Sequence, residues 1–189
     1  MKSITKQEFL VHREEYFSRI KKGEVFIYPT DTIYGVGCDA TNDKAVQKIR
    51  NIKESFDNPF SIIAPSKEWI MSHCEVFGKG KDYLDKLPGK FTLIFELKHP
   101  ESIAENVNPK GESVGIRIPR HWFAEEVEAF GIPIVTTSVN RHGESFLMNI
   151  SELPHEIKSR IDFCIDEGKI EGKPSQLVDL RSGEAIVKR

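Results

Sequence analysis

The sequence has few of the features that mark the common specialised protein classes. It contains three cysteines, Cys38, Cys74 and Cys164, and this odd number at wide spacing favours neither a disulfide framework nor a zinc site. No apolar run approaches the length of a membrane span, and the N-terminal stretch MKSITKQEFLVHREE has no apolar segment typical of a secretion signal. These absences predict a cytoplasmic protein without membrane contact.

The chain also has little excess of charge of either sign. Its 189 residues include 27 Lys and Arg against 29 Asp and Glu, for a formal net charge of -2. No global field therefore attracts nucleic acid, and any anion site must be a local cluster of cations. The length suits one domain with a full core, and 39% hydrophobic with 30% charged residues is typical of a globular protein.

Common catalytic and nucleotide-binding motifs are missing. The PGK run at residues 88–90 has Leu84 where a Walker A loop needs glycine, and Phe91 follows it without a hydroxyl for magnesium. YGVGC lacks the third glycine of a dinucleotide fingerprint, and HEIKS lacks the second histidine of a zinc protease. No GxSxG nucleophile elbow occurs. We therefore predict no protein-bound metal and no serine nucleophile.

Helix and strand patterns alternate first, and strands gather towards the end. Helical spacing of apolar residues predicts helices over residues 6–22 and 42–53 and over WFAEEVEAF. Residues 78–90 are predicted to form a loop. This order predicts a mixed α/β sheet. The predicted strands are EVFIY, FSIIA, FTLIFEL, VGIRIP, IPIVTTS, DFCID, SQLVDL and EAIVKR, the last two joined as a hairpin at Arg181-Ser182-Gly183.

Polar side chains gather beside the predicted strands. Each has an ordinary structural interpretation when taken alone, because loop hydroxyls bond to nearby backbone and a lysine stabilises a helix end. Ligands of α/β sheets bind at strand ends, so the coincidence predicts a site for phosphate or carboxylate oxygens. The group comprises the PTDT run at 29–32, Lys53, Arg117, Thr136, Thr137, Ser138 and Asn140.

Five blocks of the sequence resemble, in the same order, the YrdC/Sua5 family of threonylcarbamoyl-AMP synthases. They are IYPTDTIYGVGCDA, PGKFTLIF, VGIRIPRHWFA, TTSVNRHGE and PSQLVDLRSGEAIVKR. The resemblance runs from about Gly23 to Arg189 and implies the YrdC-like fold, a twisted mixed sheet flanked by helices with a concave ligand cleft. It also implies a single catalytic domain over residues 1–189, without the second domain of Sua5.

The resemblance implies a nucleotidyltransferase that converts L-threonine, bicarbonate and ATP into threonylcarbamoyl-AMP and pyrophosphate. The product supplies N6-threonylcarbamoyladenosine at position 37 of tRNAs that read ANN codons. The implied partners are therefore tRNA or a downstream threonylcarbamoyl-transferase complex, and Mg²⁺ is expected with ATP. A carbamate formed from threonine and bicarbonate attacks the α-phosphorus, so the protein mainly supplies positioning and charge neutralisation.

The positions that the family uses fall into two groups in this chain. A guanidinium suits a carboxylate, and the resemblance pairs Arg117 with that of threonine. The implied catalytic residues are Lys53 and Arg117. The implied threonine pocket comprises Thr32, Arg117, Thr136 and Ser175, and the implied nucleotide site comprises Lys53, Asn58, Ser113, Ser138, Asn140 and Arg189.

The chain departs from the family in one cationic segment. Members carry Lys-x-Arg, whereas Lys53 is followed two residues later by Ser55, and Lys90 is the first candidate for a replacement cation. Two alternatives stay open. One is a divergent, non-catalytic member that binds nucleotide or RNA, and RNA binding would weaken steeply with salt. The other is a carbamoyltransferase-type domain.

Overall fold

The computed structural model describes residues 1–140 and 146–188, which form a ten-stranded sheet flanked by helices. The strand order is β1-β8-β2-β3-β7-β4-β6-β5-β9-β10. The strands are β1 (Lys2–Ile4), β2 (Phe26–Tyr28), β3 (Gly35–Gly37), β4 (Ser61–Ile63), β5 (Phe91–Glu96), β6 (Ser113–Arg117), β7 (Ile134–Ser138), β8 (Phe163–Ile165), β9 (Gln176–Asp179) and β10 (Ile186–Val187). The helices are α1 (Lys6–Val11), α2 (Arg13–Lys21), α3 (Asp43–Lys53), α4 (Lys67–His73), α5 (Lys79–Leu84), α6 (Trp122–Phe130) and α7 (His155–Lys158), with 3₁₀ turns at Pro100–Ser102, Glu105–Val107 and Ile150–Glu152.

The sheet contains both parallel and antiparallel pairs. Strands β4 and β6 run parallel, as do β5 and β9, whereas β4 and β7 run antiparallel, as do β5 and β6. The predicted mixed α/β sheet is therefore confirmed. The predicted closing hairpin is also confirmed, because β10 pairs antiparallel with β9 through Ile186 and Asp179. No helix within the described ranges is long and apolar enough to cross a membrane.

Alternate residues of the strands divide between two faces of the sheet. In β2, Phe26 and Tyr28 join an aromatic core under α1, α2 and α6, whereas Ile27 joins the larger core against α3 on the other face. Each fully buried apolar side chain contributes about 1.5–3 kcal/mol relative to exposure. The aromatic core covers one part of its face, and the rest of that face, over β6, β5 and β9, is open.

The prediction of one helix over residues 6–22 was wrong in one respect. The backbone leaves helical geometry at His12 (φ -112°, ψ 25°), so two helices replace one. The break lets Phe9 stack on Tyr16, with ring centroids 5.5 Å apart, while Phe17 packs edge-on against the same ring of Phe9. Thr5 caps the first of these helices, because its side chain accepts a hydrogen bond from the Glu8 amide.

The prediction of a loop over residues 78–90 was also wrong in part, because α5 occupies its first half. Leu84 and Leu87 are buried there and anchor the segment to the core. Strands β1 and β3 were not predicted. In β3 the reason is glycine, whose strand propensity is poor, yet a Cβ at Gly37 would lie 2.6 Å from the Val135 carbonyl oxygen. Close approach of the neighbouring strand requires glycine there.

Candidate active site

A cleft of about 590 Å³ lies across the open face of the sheet. Its floor is made of alternate residues of the strands, most of which are small or polar, whereas the residues between them, such as Leu93 and Ile116, are buried in the core on the other face. The floor residues are Ser61, Thr92, Ile94, Glu96, Ser113, Gly115, Arg117, Thr136, Ser138 and Leu177.

The expectation that the site would lie at converging strand ends is therefore corrected. Strand β6 runs antiparallel to β5, and β4 runs antiparallel to β7, so within each pair the C-terminal ends point in opposite directions. Most of the polar residues meet because they share a face of the sheet, and only the PTDT loop and Arg117 meet where two strands, β2 and β6, end. Gly115 illustrates the close packing of this floor, since a Cβ there would lie 2.6 Å from the Ser61 hydroxyl oxygen.

In the PTDT loop after β2, the side chain of Thr30 stabilises the turn. The Thr30 hydroxyl donates to the Ile33 carbonyl oxygen (2.7 Å) and accepts from the amides of Thr32 (3.1 Å) and Ile33 (3.2 Å). The Thr30 and Thr32 hydroxyl oxygens also lie 2.9 Å apart, and either hydroxyl can be the donor of this contact.

The remaining oxygens of this loop hold Arg117, the last residue of β6. Asp31 Oδ1 accepts from Arg117 Nη2 at 2.7 Å, and Thr32 Oγ1 lies 3.4 Å from both Nη1 and Nη2. The other Asp31 oxygen accepts from the Arg120 amide at 3.1 Å. The loop between β2 and β3 is thus tied to the end of β6, and Arg117 is held at one end of the cleft.

Arg117 is nearly inaccessible to solvent, with 6% of its surface exposed. Burial lowers the pKa of its guanidinium, and the adjacent Asp31 carboxylate opposes the shift. An arginine keeps its charge under these conditions. Its Nε has no hydrogen-bond partner among the described residues, although the group is buried. A guanidinium fixed through Nη2 with an unsatisfied Nε is suited to an anionic ligand.

Two further hydroxyl groups, those of Thr92 and Ser175, line the Arg117 end of the cleft. Thr92 Oγ1 and Ser175 Oγ are 2.7 Å apart, both residues are buried, and both line the cleft. Thr136 is also buried and lines the same space. Four residues predicted for the threonine pocket, Thr32, Arg117, Thr136 and Ser175, are therefore brought together here.

Residues 166–175, which we call the covering segment, connect β8 to β9 along this end of the cleft. The Tyr34 hydroxyl donates to the Gly168 carbonyl oxygen at 2.8 Å and fixes the start of the segment. Further on, Gly172 lies against the backbone of Thr32, where a Cβ would overlap the Thr32 carbonyl oxygen. The absence of a side chain at Gly172 therefore allows the covering segment to close onto the PTDT loop.

Lys53 and the end of β7 form a second unit. Lys53 is 8% exposed, and its amine donates to the Ser138 carbonyl oxygen and to the Asn140 carbonyl oxygen at 2.8 Å. The Ser138 hydroxyl donates to Asn140 Oδ1. Of the three residues, only Ser138 lines the cleft. Lys53 and Asn140 lie behind it and fix the turn that presents it.

The segment after α3 is organised by a different cation, Arg50. Its guanidinium donates to the Asn106 (2.6 Å), Ser55 (2.9 Å), Asn58 (3.2 Å) and Val107 (3.2 Å) carbonyl oxygens. Burial lowers the pKa of Arg50. Ser55 is buried beside this guanidinium, and neither it nor Asn58 lines the cleft.

Replacing Ser55 by arginine is therefore expected to destabilise the protein. The new guanidinium would be buried next to Arg50 and would repel it. Placing an unpaired charge in a buried site costs about 3–5 kcal/mol. Thermal unfolding of Ser55→Arg, compared with Ser55→Ala, would measure the loss. An arginine variant as stable as the alanine variant would contradict the buried position of this side chain.

Several cleft residues were not identified from the sequence. They are the cations Lys110, Arg181 and Lys188 and the carboxylate Glu96, all of which line the end opposite Arg117. Glu96 is the last residue of β5, whereas Lys110, Arg181 and Lys188 lie outside the strands, so no strand pattern marked these four residues as a group. Lys90, the candidate replacement cation, is exposed and does not line the cleft.

All four residues predicted for the threonine pocket line the cleft, but only part of the predicted nucleotide group does. Ser113 and Ser138 line the cleft from the nucleotide group, whereas Lys53, Asn58 and Asn140 do not. Arg189 lies outside the described residues. The roles assigned to all of these residues stay predictions.

A family profile for Sua5/YciO/YrdC proteins, described as telomere recombination, matches residues 18–189. This chain belongs to the Sua5/YciO/YrdC family. The family that the five sequence blocks predicted is confirmed. Among solved structures, Escherichia coli YciO matches with a TM-score of 0.83 at 23% identity, covering all of this chain and 92% of YciO, and this match supports the fold.

Relatives of this chain come from distant organisms. A Methanocaldococcus jannaschii protein is 34% identical over 172 residues, covering 88% of this chain and 79% of the relative. The Vibrio campbellii threonylcarbamoyl-AMP synthase is 27% identical over 181 residues, covering 92% and 96% of the two chains. The structure of Pyrococcus abyssi Sua5 complexed with L-threonine matches with a TM-score of 0.82 at 25% identity.

The match to Sua5 covers most of this chain but only part of Sua5. It covers 92% of this chain and 52% of the Sua5 chain, so the chain spans about half of that relative. The prediction of a single catalytic domain over residues 1–189 stays a prediction.

Proposed function

We propose that this protein is a threonylcarbamoyl-AMP synthase, which makes threonylcarbamoyl-AMP and pyrophosphate from L-threonine, bicarbonate and ATP. The observation that carries the proposal is the buried Arg117, fixed by Asp31 and Thr32 at one end of a cleft lined by hydroxyls. The threonylcarbamoyl-AMP synthase among the relatives and the Sua5 structure with L-threonine support it.

The amino-acid end matches the groups that threonine presents. The guanidinium of Arg117 pairs with the carboxylate, and the Thr32, Thr92 and Ser175 hydroxyls face the polar groups of the same ligand. Gly172 brings the covering segment onto this end and limits access of water. The threonine amine and bicarbonate then form a carbamate, with loss of water, in a position to attack ATP.

The nucleotide lies in the rest of the cleft, with Ser113 and Ser138 against it. A carbamate oxygen attacks the α-phosphorus in line, a P–O bond to the bridging oxygen breaks, and pyrophosphate leaves with the electron pair. The site needs no nucleophilic side chain for this step, and its contribution is positioning. Lys53 acts as a positioning residue through the Ser138–Asn140 turn.

Magnesium would bind together with the triphosphate of ATP. Among the described residues, no group of three or more His, Cys, Asp or Glu side chains is arranged to hold a metal ion. Glu96 and Glu112 are the carboxylates that line the cleft, and either would supply one oxygen to a magnesium ion held mainly by phosphates. The product passes to a downstream threonylcarbamoyl transferase that modifies tRNA.

Ser138→Ala is expected to weaken ATP binding several-fold and to leave threonine binding nearly unchanged. A neutral hydrogen bond contributes about 0.5–1.5 kcal/mol, and this hydroxyl also orients Asn140. Calorimetric titration with each substrate measures the two affinities. A larger loss for threonine than for ATP would assign this turn to the amino acid.

The proposed reaction is tested by pyrophosphate release. Purified protein with ATP, Mg²⁺, bicarbonate and L-threonine should release pyrophosphate, and omission of threonine or bicarbonate should stop it. L-Valine is a matched control, because it has the shape of threonine without the hydroxyl. Release that does not depend on threonine would overturn the proposal.

A further inference from the structure

A four-charge network lies at the end of the cleft opposite Arg117. At its centre is Asp179 of β9, whose side chain is buried. Asp179 accepts from Arg181 Nε at 2.9 Å and Nη2 at 2.7 Å, and from Lys188 Nζ at 2.7 Å. The Arg181 Nη1 lies 3.5 Å from Glu96. Hydrogen bonds hold the pKa of the Asp179 carboxyl well below its usual range, and those from Arg181 have a larger effect than the one from Lys188.

Both cations keep capacity for a further ligand. Their side chains are 41% and 42% exposed, and both line the cleft. Arg181 uses Nε and one Nη2 proton on Asp179, and its Nη1 faces only the weakly held, 43% exposed Glu96. Lys188 has three ammonium protons, of which one is directed to Asp179. Both side chains therefore line the cleft and keep donors that a further ligand can use.

The proposed reaction requires cations near the phosphates, and the other cations of the described cleft region are poorly placed. Arg117 is engaged by Asp31 at the threonine end. Lys53 donates to the carbonyl oxygens of the β7 turn and does not line the cleft. Lys90 is exposed outside it, and Lys110 is 62% exposed with Asp57 3.8 Å away.

We propose that Arg181 and Lys188, aligned by the buried Asp179, form the phosphate-binding site of this cleft and take the role of the cation missing at Ser55. The identity of the phosphate as that of ATP rests on the proposed function. Asp179 offsets the repulsion between the two cations and fixes the arginine before a ligand arrives, which lowers the ordering cost of binding. Phosphate oxygens replace Glu96 at Arg181 Nη1 and accept from the remaining protons of Lys188.

The network also has a simpler structural role, because it joins β9 to β10. The two roles differ in what a neutral substitution changes. Loss of a hairpin contact lowers stability and affects all ligands alike. Loss of a phosphate contact lowers affinity for compounds with a phosphate chain and spares those without one.

The test compares Arg181→Met, Lys188→Met and the double variant with the parent protein, by calorimetric titration with inorganic tripolyphosphate, ATP and adenosine. Affinity for tripolyphosphate and ATP should fall about tenfold in each single variant and further in the double variant, while adenosine binding is unchanged. Arg160→Met is the matched control, since Arg160 is exposed and its side chain donates, among the described residues, only to the Asn51 carbonyl oxygen. It should bind all three ligands like the parent.

The proposal is overturned if the double variant binds tripolyphosphate like the parent, or if the parent binds neither tripolyphosphate nor ATP. It is also overturned if adenosine affinity falls as much as ATP affinity. Should Arg181→Met unfold, Lys188→Gln carries the same comparison, because its amine is partly exposed and its backbone pairing is retained. Threonine-dependent pyrophosphate release is measured separately. If the variants lose affinity for tripolyphosphate and ATP as expected but the parent releases no pyrophosphate, the phosphate-binding site is supported and the proposed function is contradicted.

Discussion

Arg117→Ala is expected to raise the threonine concentration needed for half-maximal pyrophosphate release by about tenfold or more. Removing one partner of a buried charge pair costs about 2–5 kcal/mol, and the alanine leaves both the substrate carboxylate and Asp31 without their cation. The ATP requirement should change little, because Arg117 lies at the other end of the cleft from Arg181. Steady-state kinetics with each substrate varied in turn measures the two effects.

Two further variants separate binding from folding. Asp31 becomes a buried unpaired carboxylate in Arg117→Ala, so Asp31→Asn combined with Arg117→Ala restores neutrality and keeps the loss of threonine affinity measurable if the single variant is unstable. Arg120→Ala is the matched control, since the Arg120 side chain is exposed and its hydrogen bond within the described part of the chain goes to the Pro88 carbonyl oxygen at 3.3 Å. A folded Arg117 variant with the threonine dependence of the parent would remove Arg117 from the amino-acid pocket.

Gly172→Ala is expected to weaken threonine binding on the order of tenfold, by displacing the covering segment from the PTDT loop. A Cβ at position 172 would overlap the Thr32 carbonyl oxygen, and this is backbone that cannot rotate aside. Movement of the segment separates Ser175 from Thr32 across the same end of the cleft. Affinity for a ligand held by several groups falls steeply when one wall moves.

The control for this variant is another glycine of the cleft. Gly111 lines the opposite end, and a Cβ there would meet only the Asn108 side-chain nitrogen, at 3.9 Å. Gly111→Ala should therefore keep the parent affinity for threonine. Equal threonine affinity in Gly172→Ala and Gly111→Ala, measured by calorimetry, would show that the covering segment does not shape the pocket.

Much of the fold was predictable because local signals agreed with it. The helix over WFAEEVEAF and the strands VGIRIP and IPIVTTS all occur close to where the pattern placed them. The errors come from tertiary packing. The helix break at His12 and the glycine strand β3 depend on aromatic stacking and on the approach of β7, which no local pattern records.

The site was predictable where its polar residues are consecutive in the sequence, and it was not predictable where they are far apart in the chain. PTDT and TTS are consecutive polar residues, so they stand out in the sequence. Glu96 and Arg181 are separated along the chain, and they meet only because β5 lies beside β9 in the sheet. The engagement of Lys53 with the β7 turn is equally invisible, because it joins residues far apart in the chain.

Whether one cleft joins threonine, bicarbonate and ATP is measured by isotope transfer. The parent protein is incubated with ATP, Mg²⁺, L-threonine and carbon-labelled bicarbonate, and the nucleotide products are analysed by mass spectrometry. We expect a threonylcarbamoyl adenylate that carries the label, formed with pyrophosphate in equal amounts. A nucleotide fraction without labelled adenylate, from protein that binds both ATP and threonine, would contradict it.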